Sequence, residues 1–219
     1  MYSFAERSDT RVLDEPLFGH FLAHTGVERP SRKAVLASLP TGREEALASL
    51  LRREHDDVLF LKHMANHLEG LAWEDVDGPN HVHVILTRHP DGVLPSYRAH
   101  IDAPTMLDLG YAHQRDIAAR AAGRVHVVTA ESLFEAPEAT LKALCAALDM
   151  PWEEGMLTWA PGGRPEDGIW ATYWYEGVHR SSGWEPRSLR HGEVPPHLAP
   201  LRESCLEHYL ALKDLALTP

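Results

Sequence analysis

Residues 81–97 read HVHVILTRHPDGVLPSY, an apolar run that ends on Arg88, turns at Pro90 and offers Ser96 eight positions after the arginine. A guanidinium meets a phosphate through two parallel N–H bonds, and the start of a helix favours anions, so Arg88 and Ser96 together form a candidate phosphate clamp. The plain alternative is a surface arginine and a helix serine. A second set is Glu15 in the stretch LDEP, and Lys62 with His63 directly after the run VLFLK. Cations for an anionic ligand, plus a carboxylate or imidazole able to take a proton, are the parts of a group-transfer site. Each alone reads as an ordinary charge at a loop mouth; taken together they favour function. A third cluster, His179, Arg180, Ser181, Ser182 and Gly183, could wrap a phosphate through backbone N–H groups, with a plain turn as the alternative.

Fifteen histidines invite a metal reading, most of all the pairs His20 and His24, His63 and His67, and His81 and His83. The first two pairs lie four apart, as on one helix face, and the third alternates as on one strand face. None carries the glutamate of an HExxH motif, no cysteine is near, and no third ligand declares itself. No metal is expected.

The elements that must position these residues follow from hydrophobic periodicity. Four short apolar runs, Arg11 to Asp14, Val58 to Lys62, Val82 to Thr87 and Val125 to Thr129, alternate with helix-like stretches, which predicts an α/β chain with a mainly parallel sheet and helices on both faces. Glu15, Lys62, His63 and Arg88 then fall at the carboxyl ends of strands, where open α/β sheets place ligands. Residues 137–148 open on proline and put Leu141, Leu144, Cys145 and Leu148 on one face, an amphipathic helix. Leu198, Leu201, Cys205, Tyr209 and Leu212 make another such stripe. Residues 151–197 are rich in Gly, Pro and Trp, a composition of binding loops and lids, although their aromatics are read as packing before they are read as a ligand platform. MYSFAER reads as a helix that precedes the first strand.

The 219 residues are 44% hydrophobic and 24% charged, which suits one globular domain over 1–219 with 151–197 as its irregular segment. With 32 acidic against 21 basic residues the net charge is −11. Nucleic acid is therefore not an expected partner, and an anionic ligand must find a local positive pocket. No run approaches the ~18 apolar residues of a membrane span, and the start lacks a signal-peptide pattern, so a cytoplasmic address is expected. Cys145 and Cys205 are far apart in helical stretches and read as reduced core residues.

The chain resembles the nucleotide-dependent sulfotransferase family, most closely its bacterial sulfotransferase-like branch. The segment LTRHPDGVLPSY is similar to that family's 3′-phosphate-binding motif, matched at Arg88 and Ser96. DEPLFGHFL, FLKHMANHL, SLFEAPEATLKALCAALDMP and RPEDGIWATYWYEGVHRSSGW are also similar to that branch, in the same order and spacing. The resemblance implies a P-loop-type α/β/α fold that moves a sulfuryl group from 3′-phosphoadenosine-5′-phosphosulfate (PAPS), as co-substrate, to a hydroxyl or amine of a small-molecule acceptor, without metal. It implies that Arg88 and Ser96, with Arg180 and Gly183 as further candidates, hold the 3′-phosphate and that Lys62 stabilises the leaving side. For the base it leaves Glu15 and His63, and prefers Glu15 because the DEP context matches better.

The same resemblance exposes departures. The family's 5′-phosphosulfate loop should precede the helix that MYSFAER resembles, so Met1 is expected to be internal to a longer protein, with its first strand and loop in roughly 15–20 preceding residues. A degenerate nucleotide-binding module without turnover is the main alternative, and a P-loop-type phosphotransferase the second, although neither an acidic metal ligand nor a GK[ST] turn is present. The acceptor, the residues facing adenine and the oligomeric state are not specified by the sequence.

Overall fold

A computed structural model of the chain describes residues 1–50, 58–97, 100–121 and 123–219. The fold is α/β with parallel strand pairing, as the alternation of strand and helix signals predicts. Its residues group into two compact units, one formed by Met1–Val76 with Glu153–Trp184, the other by Asp77–Trp152 with Glu185–Pro219. The irregular 151–197 segment is therefore shared, its larger part closing the first unit.

In the first unit, β1 (Thr10–Asp14) pairs in parallel with β2 (Val58–Lys62), in a register that sets Asp14 beside Lys62. Helix α1 (Tyr2–Ala5) packs on β1, and Phe4 stacks on Phe60 of β2 with ring centroids 4.3 Å apart. After β1 the chain enters α2 (Phe18–Thr25), whose Phe18, Phe21 and Leu22 are buried and whose end is set by Gly26 in the left-handed conformation that glycine adopts at helix ends without penalty. Helices α3 (Arg32–Ser38) and α4 (Arg43–Leu50) follow, and Leu17, Ala46 and Leu50 form a small core with Leu61 and Val76 packed against it. From the distant segment, Trp159 meets Tyr2 and Trp184 edge-on, and Trp184 Nε1 donates to Ser3 Oγ at 2.8 Å. Trp159 and Trp184 thus serve as packing residues of the first unit.

In the second unit, β3 (His83–Thr87) pairs in parallel with β4 (Val125–Thr129). The apolar runs read from sequence are these strands, with ends shifted by one residue at Thr10 and His83. The predicted amphipathic helices are Pro137–Ala147 and Ala199–Lys213. The second one fills two clusters: Cys205 and Tyr209 pack with Leu94, Leu109, Tyr111 and Leu198, while Leu212 packs with Ile85 and Val127. Both cysteine thiols are buried, as their helical setting predicts. Among the described residues no helix is long and apolar enough to cross a membrane.

Candidate functional site

The first unit concentrates buried charge at the carboxyl ends of β1 and β2. Asp14 ends β1 and its partner Lys62 ends β2, so their side chains lie on one face. In a regular strand the next residue would point to the other face. Glu15 instead takes a positive φ of 43°, which breaks the pleat, and its N–H donates to the Lys62 carbonyl at 2.7 Å. As a result both carboxylates face the Lys62 ammonium. Glu15 Oε1 accepts a hydrogen bond from Lys62 Nζ, and Asp14 Oδ1 lies 3.4 Å from the same nitrogen. The Asp14 side chain is 0% exposed and that of Glu15 7%, so the pair is sheltered from water.

Tyr175, from the aromatic segment, closes this group. Its hydroxyl accepts from Lys62 Nζ at 2.8 Å and donates to Asp14 Oδ1 at 2.7 Å, while Glu15 Oε1 lies 3.5 Å away. The other Asp14 oxygen accepts from the Gly168 N–H at 3.0 Å. Asp14 thus ties the segment carrying Tyr175 to the end of β1. On the far side of Glu15 stands His67, its Nδ1 3.9 Å from Oε2. The imidazole is buried, stacked on Phe18 at 4.6 Å and against Phe21 at 4.9 Å.

The electrostatics follow from this crowding. Burial pushes the Glu15 carboxyl above the ordinary carboxylate range; Lys62 opposes the shift and Asp14 adds to it. Burial and the two carboxylates push the Tyr175 hydroxyl far above its usual range, so it stays protonated. Burial, with Lys62 and His63 nearby, holds His67 well below the usual imidazole range and keeps it neutral. A carboxylate with a raised proton affinity beside a cation is suited to take a proton from a bound group.

In the second unit, Arg88 follows β3 and the helix Pro90–Tyr97 follows Arg88. The Arg88 carbonyl accepts from Tyr111 OH at 2.6 Å, and its guanidinium lies against Gly92, where an added Cβ would stand 2.6 Å from Nε. Nε is buried and has no hydrogen-bond partner among the described residues. Ser96 is exposed in the last turn of that helix and donates to the Val93 carbonyl at 2.8 Å.

The remaining candidates have plainer settings. Arg180 pairs with Glu176 at 2.7 Å on the surface of the first unit. Gly183, with φ of 152°, bridges to Thr158, and a Cβ there would meet the Leu157 carbonyl oxygen at 2.5 Å. Close backbone approach is sufficient reason for this glycine. His63 is half-buried just after β2 and adds to the field on His67. Of the histidine pairs, His20 and His24 stack at 5.8 Å, and His83 pairs with Asp77 at 3.0 Å.

Among the described residues, His89, Asp91 and His191 bring potential metal-ligating atoms within 4.8 Å of one another. Asp91 is clamped by Arg202 through Nε and, at 2.7 Å, Nη2; His89 Nδ1 accepts the Asp91 N–H at 3.2 Å. The two rings stack at 4.2 Å with planes 14° apart. Lone pairs lying in near-parallel planes do not converge on one ion at the ~2.1 Å that imidazole ligands need.

Sequence reasoning found Glu15 and Lys62 and missed Asp14, Tyr175 and, as a neighbour of Glu15, His67. The only signal for Asp14 was its place beside Glu15 in DEP. Tyr175 lay among five aromatics, Trp170, Tyr173, Trp174, Tyr175 and Trp184, that the sequence reads first as packing.

The model of the sulfotransferase domain family matches residues 1–216. The chain is 34% identical over 231 residues to branched-chain-amino-acid aminotransferase-like protein 1 of Arabidopsis thaliana, a match covering 100% of this chain and 41% of that protein. It is 35% identical over 218 residues to protein 2 of the same name and organism, covering 97% and 38%. The chain spans about two-fifths of the length of these curated relatives. A sulfotransferase domain from the curacin biosynthetic pathway is similar over 92% of this chain and 79% of that one, with 17% identity and a TM-score of 0.43.

Proposed function

The chain belongs to the sulfotransferase domain family, and from that premise we propose that it moves a sulfuryl group from PAPS to a hydroxyl or amine of a small acceptor, with Glu15 as base. The observation that carries this reading is the buried Glu15 carboxylate held against Lys62, with Tyr175 and Asp14 completing the group. PAPS supplies an activated sulfuryl group and a phosphate oxygen that becomes negative as it leaves. In the transfer, the acceptor's oxygen or nitrogen bonds to sulfur as the sulfur–phosphate oxygen bond breaks, and the acceptor's proton needs a receiver. Glu15 takes that proton, helped by the burial that raises its proton affinity. Lys62 offers the cation that offsets the departing negative charge. Tyr175 and Asp14 keep the lysine from wandering.

Arg88 fits the 3′-phosphate role: its Nε lacks a partner among the described residues, and the bare Gly92 leaves room beside it. Ser96 fits on turning its hydroxyl from Val93, a small cost for an exposed side chain. Arg180 would exchange a solvent-exposed ion pair, and Gly183 contributes only backbone.

The test is sulfuryl transfer from radiolabelled donor to a panel of phenols, alcohols and amines. Glu15→Gln is expected to lower turnover by ~10²-fold or more while leaving donor affinity by calorimetry nearly unchanged. Loss of turnover in His63→Ala with none in Glu15→Gln would move the base to His63. Donor binding without turnover to any acceptor would assign a nucleotide-binding module instead.

A further inference from the structure

The two oxygens of Glu15 are attended unequally. Oε1 faces Lys62 Nζ and the Tyr175 hydroxyl, whereas Oε2 has His67 Nδ1 at 3.9 Å. Nδ1 itself is buried and has no hydrogen-bond partner among the described residues. A buried imidazole nitrogen without a partner carries a desolvation cost that nearly all protein interiors avoid. The distance exceeds a hydrogen bond by about 1 Å, within reach of a small rotation of the carboxylate. The ring is fixed by stacking on Phe18, with planes 7° apart, and by Phe21, so the carboxylate is the part that moves.

We propose that His67 is a positioning residue for Glu15: its neutral imidazole, protonated on Nδ1, donates to Oε2 and holds the carboxylate in place when Lys62 leaves Oε1. This rests on the base reading above. Lys62 is asked to do two things, to pair with Glu15 at rest and to offset charge on the departing phosphate during transfer. Without a donor on Oε2, Glu15 would keep, among the described residues, only the long Tyr175 contact, 3.5 Å from Oε1, at the moment it must remain ionised and oriented. With Oε2 held by His67, Oε1 is the oxygen vacated for the acceptor's proton. The groups facing Glu15 are Lys62, Asp14, Tyr175 and His67, and those acting on His67 are Lys62, His63 and Arg29. Burial keeps the imidazole neutral, which makes it a donor that does not compete for the proton.

Two measurements on the 219-residue chain decide this, and neither depends on turnover. Nitrogen-15 NMR of the unchanged protein reads the His67 tautomer: a protonated Nδ1 is expected, and a proton on Nε2 alone overturns the proposal. Carbon-13 NMR then reads the Glu15 titration. His67→Phe keeps an aromatic ring against Phe18 and removes the donor, and should raise the Glu15 midpoint by about one pH unit, the size of a hydrogen bond to a charged group. The rise should be larger in a Lys62→Met background, where His67 and the more distant Tyr175 hydroxyl are the remaining donors to Glu15 among the described residues. An unmoved midpoint in folded His67→Phe overturns the proposal; if that variant does not fold, the tautomer alone decides. Glu15→Gln with undiminished turnover would remove the base reading and leave the tautomer result standing.

Discussion

At Glu15 two costs meet in one residue. Its backbone is left-handed although it carries a side chain and precedes Pro16, a combination that sterics disfavour by roughly 1–3 kcal/mol. Its carboxyl is buried beside a second carboxylate. Because its folded pKa lies above the unfolded value near 4.5, the native state binds the extra proton. This group's contribution to stability is therefore most favourable below that value and falls as pH rises through the folded pKa. Glu15→Gln removes the fall. Its melting temperature relative to the unchanged chain should climb from pH 4 to pH 7, read by circular dichroism; a difference that stays level across that range would show that burial does not shift this carboxyl.

Short elements were legible where their signal was local. The runs VLFLK and VHVVT are strands from end to end because β-branched and apolar residues bounded by polar stops fit a pleated, covered surface. Pro137 at the first turn announced its helix for an equally local reason. Tyr175 was not legible, since its partner Asp14 is 161 residues away and its own neighbours are four other aromatics. His67 gave a signal that pointed elsewhere: spacing from His63 suggested a metal face, whereas Phe18 and Phe21 of α2 make it an aromatic stack. The helix Pro90–Tyr97 offers a test at this scale. Gly92→Ala improves helix propensity by up to ~1 kcal/mol, yet its Cβ must displace the Arg88 guanidinium. The variant should be no less stable, while its affinity for 3′-phosphoadenosine 5′-phosphate falls about tenfold, as expected for loss of one charge-assisted pair. Calorimetry with an analogue lacking the 3′-phosphate should show little change, and equal losses for both ligands would detach Arg88 from that phosphate.

Over the whole molecule, each unit is built from two separated stretches of chain. The second unit draws Leu198, Cys205, Tyr209 and Leu212 from its late stretch into cores begun by Ile85, Leu94, Leu109 and Tyr111. A fragment of residues 77–152 should therefore give no cooperative thermal transition, whereas one that adds residues 185–219 through a flexible linker should regain it; a cooperative melt from the short fragment would show that its core is already complete. The first unit has the same division, with a consequence in time. Lys62 and Tyr175 are 113 residues apart, and at roughly 5–20 residues per second a ribosome needs on the order of ten seconds to deliver the tyrosine after the lysine. Throughout that interval Asp14, Glu15 and Lys62 exist without the segment that shuts water out, so each nascent copy must keep three charges hydrated that its finished form encloses. Synthesis order thus makes the proposed catalytic group among the last parts of the first unit to be assembled.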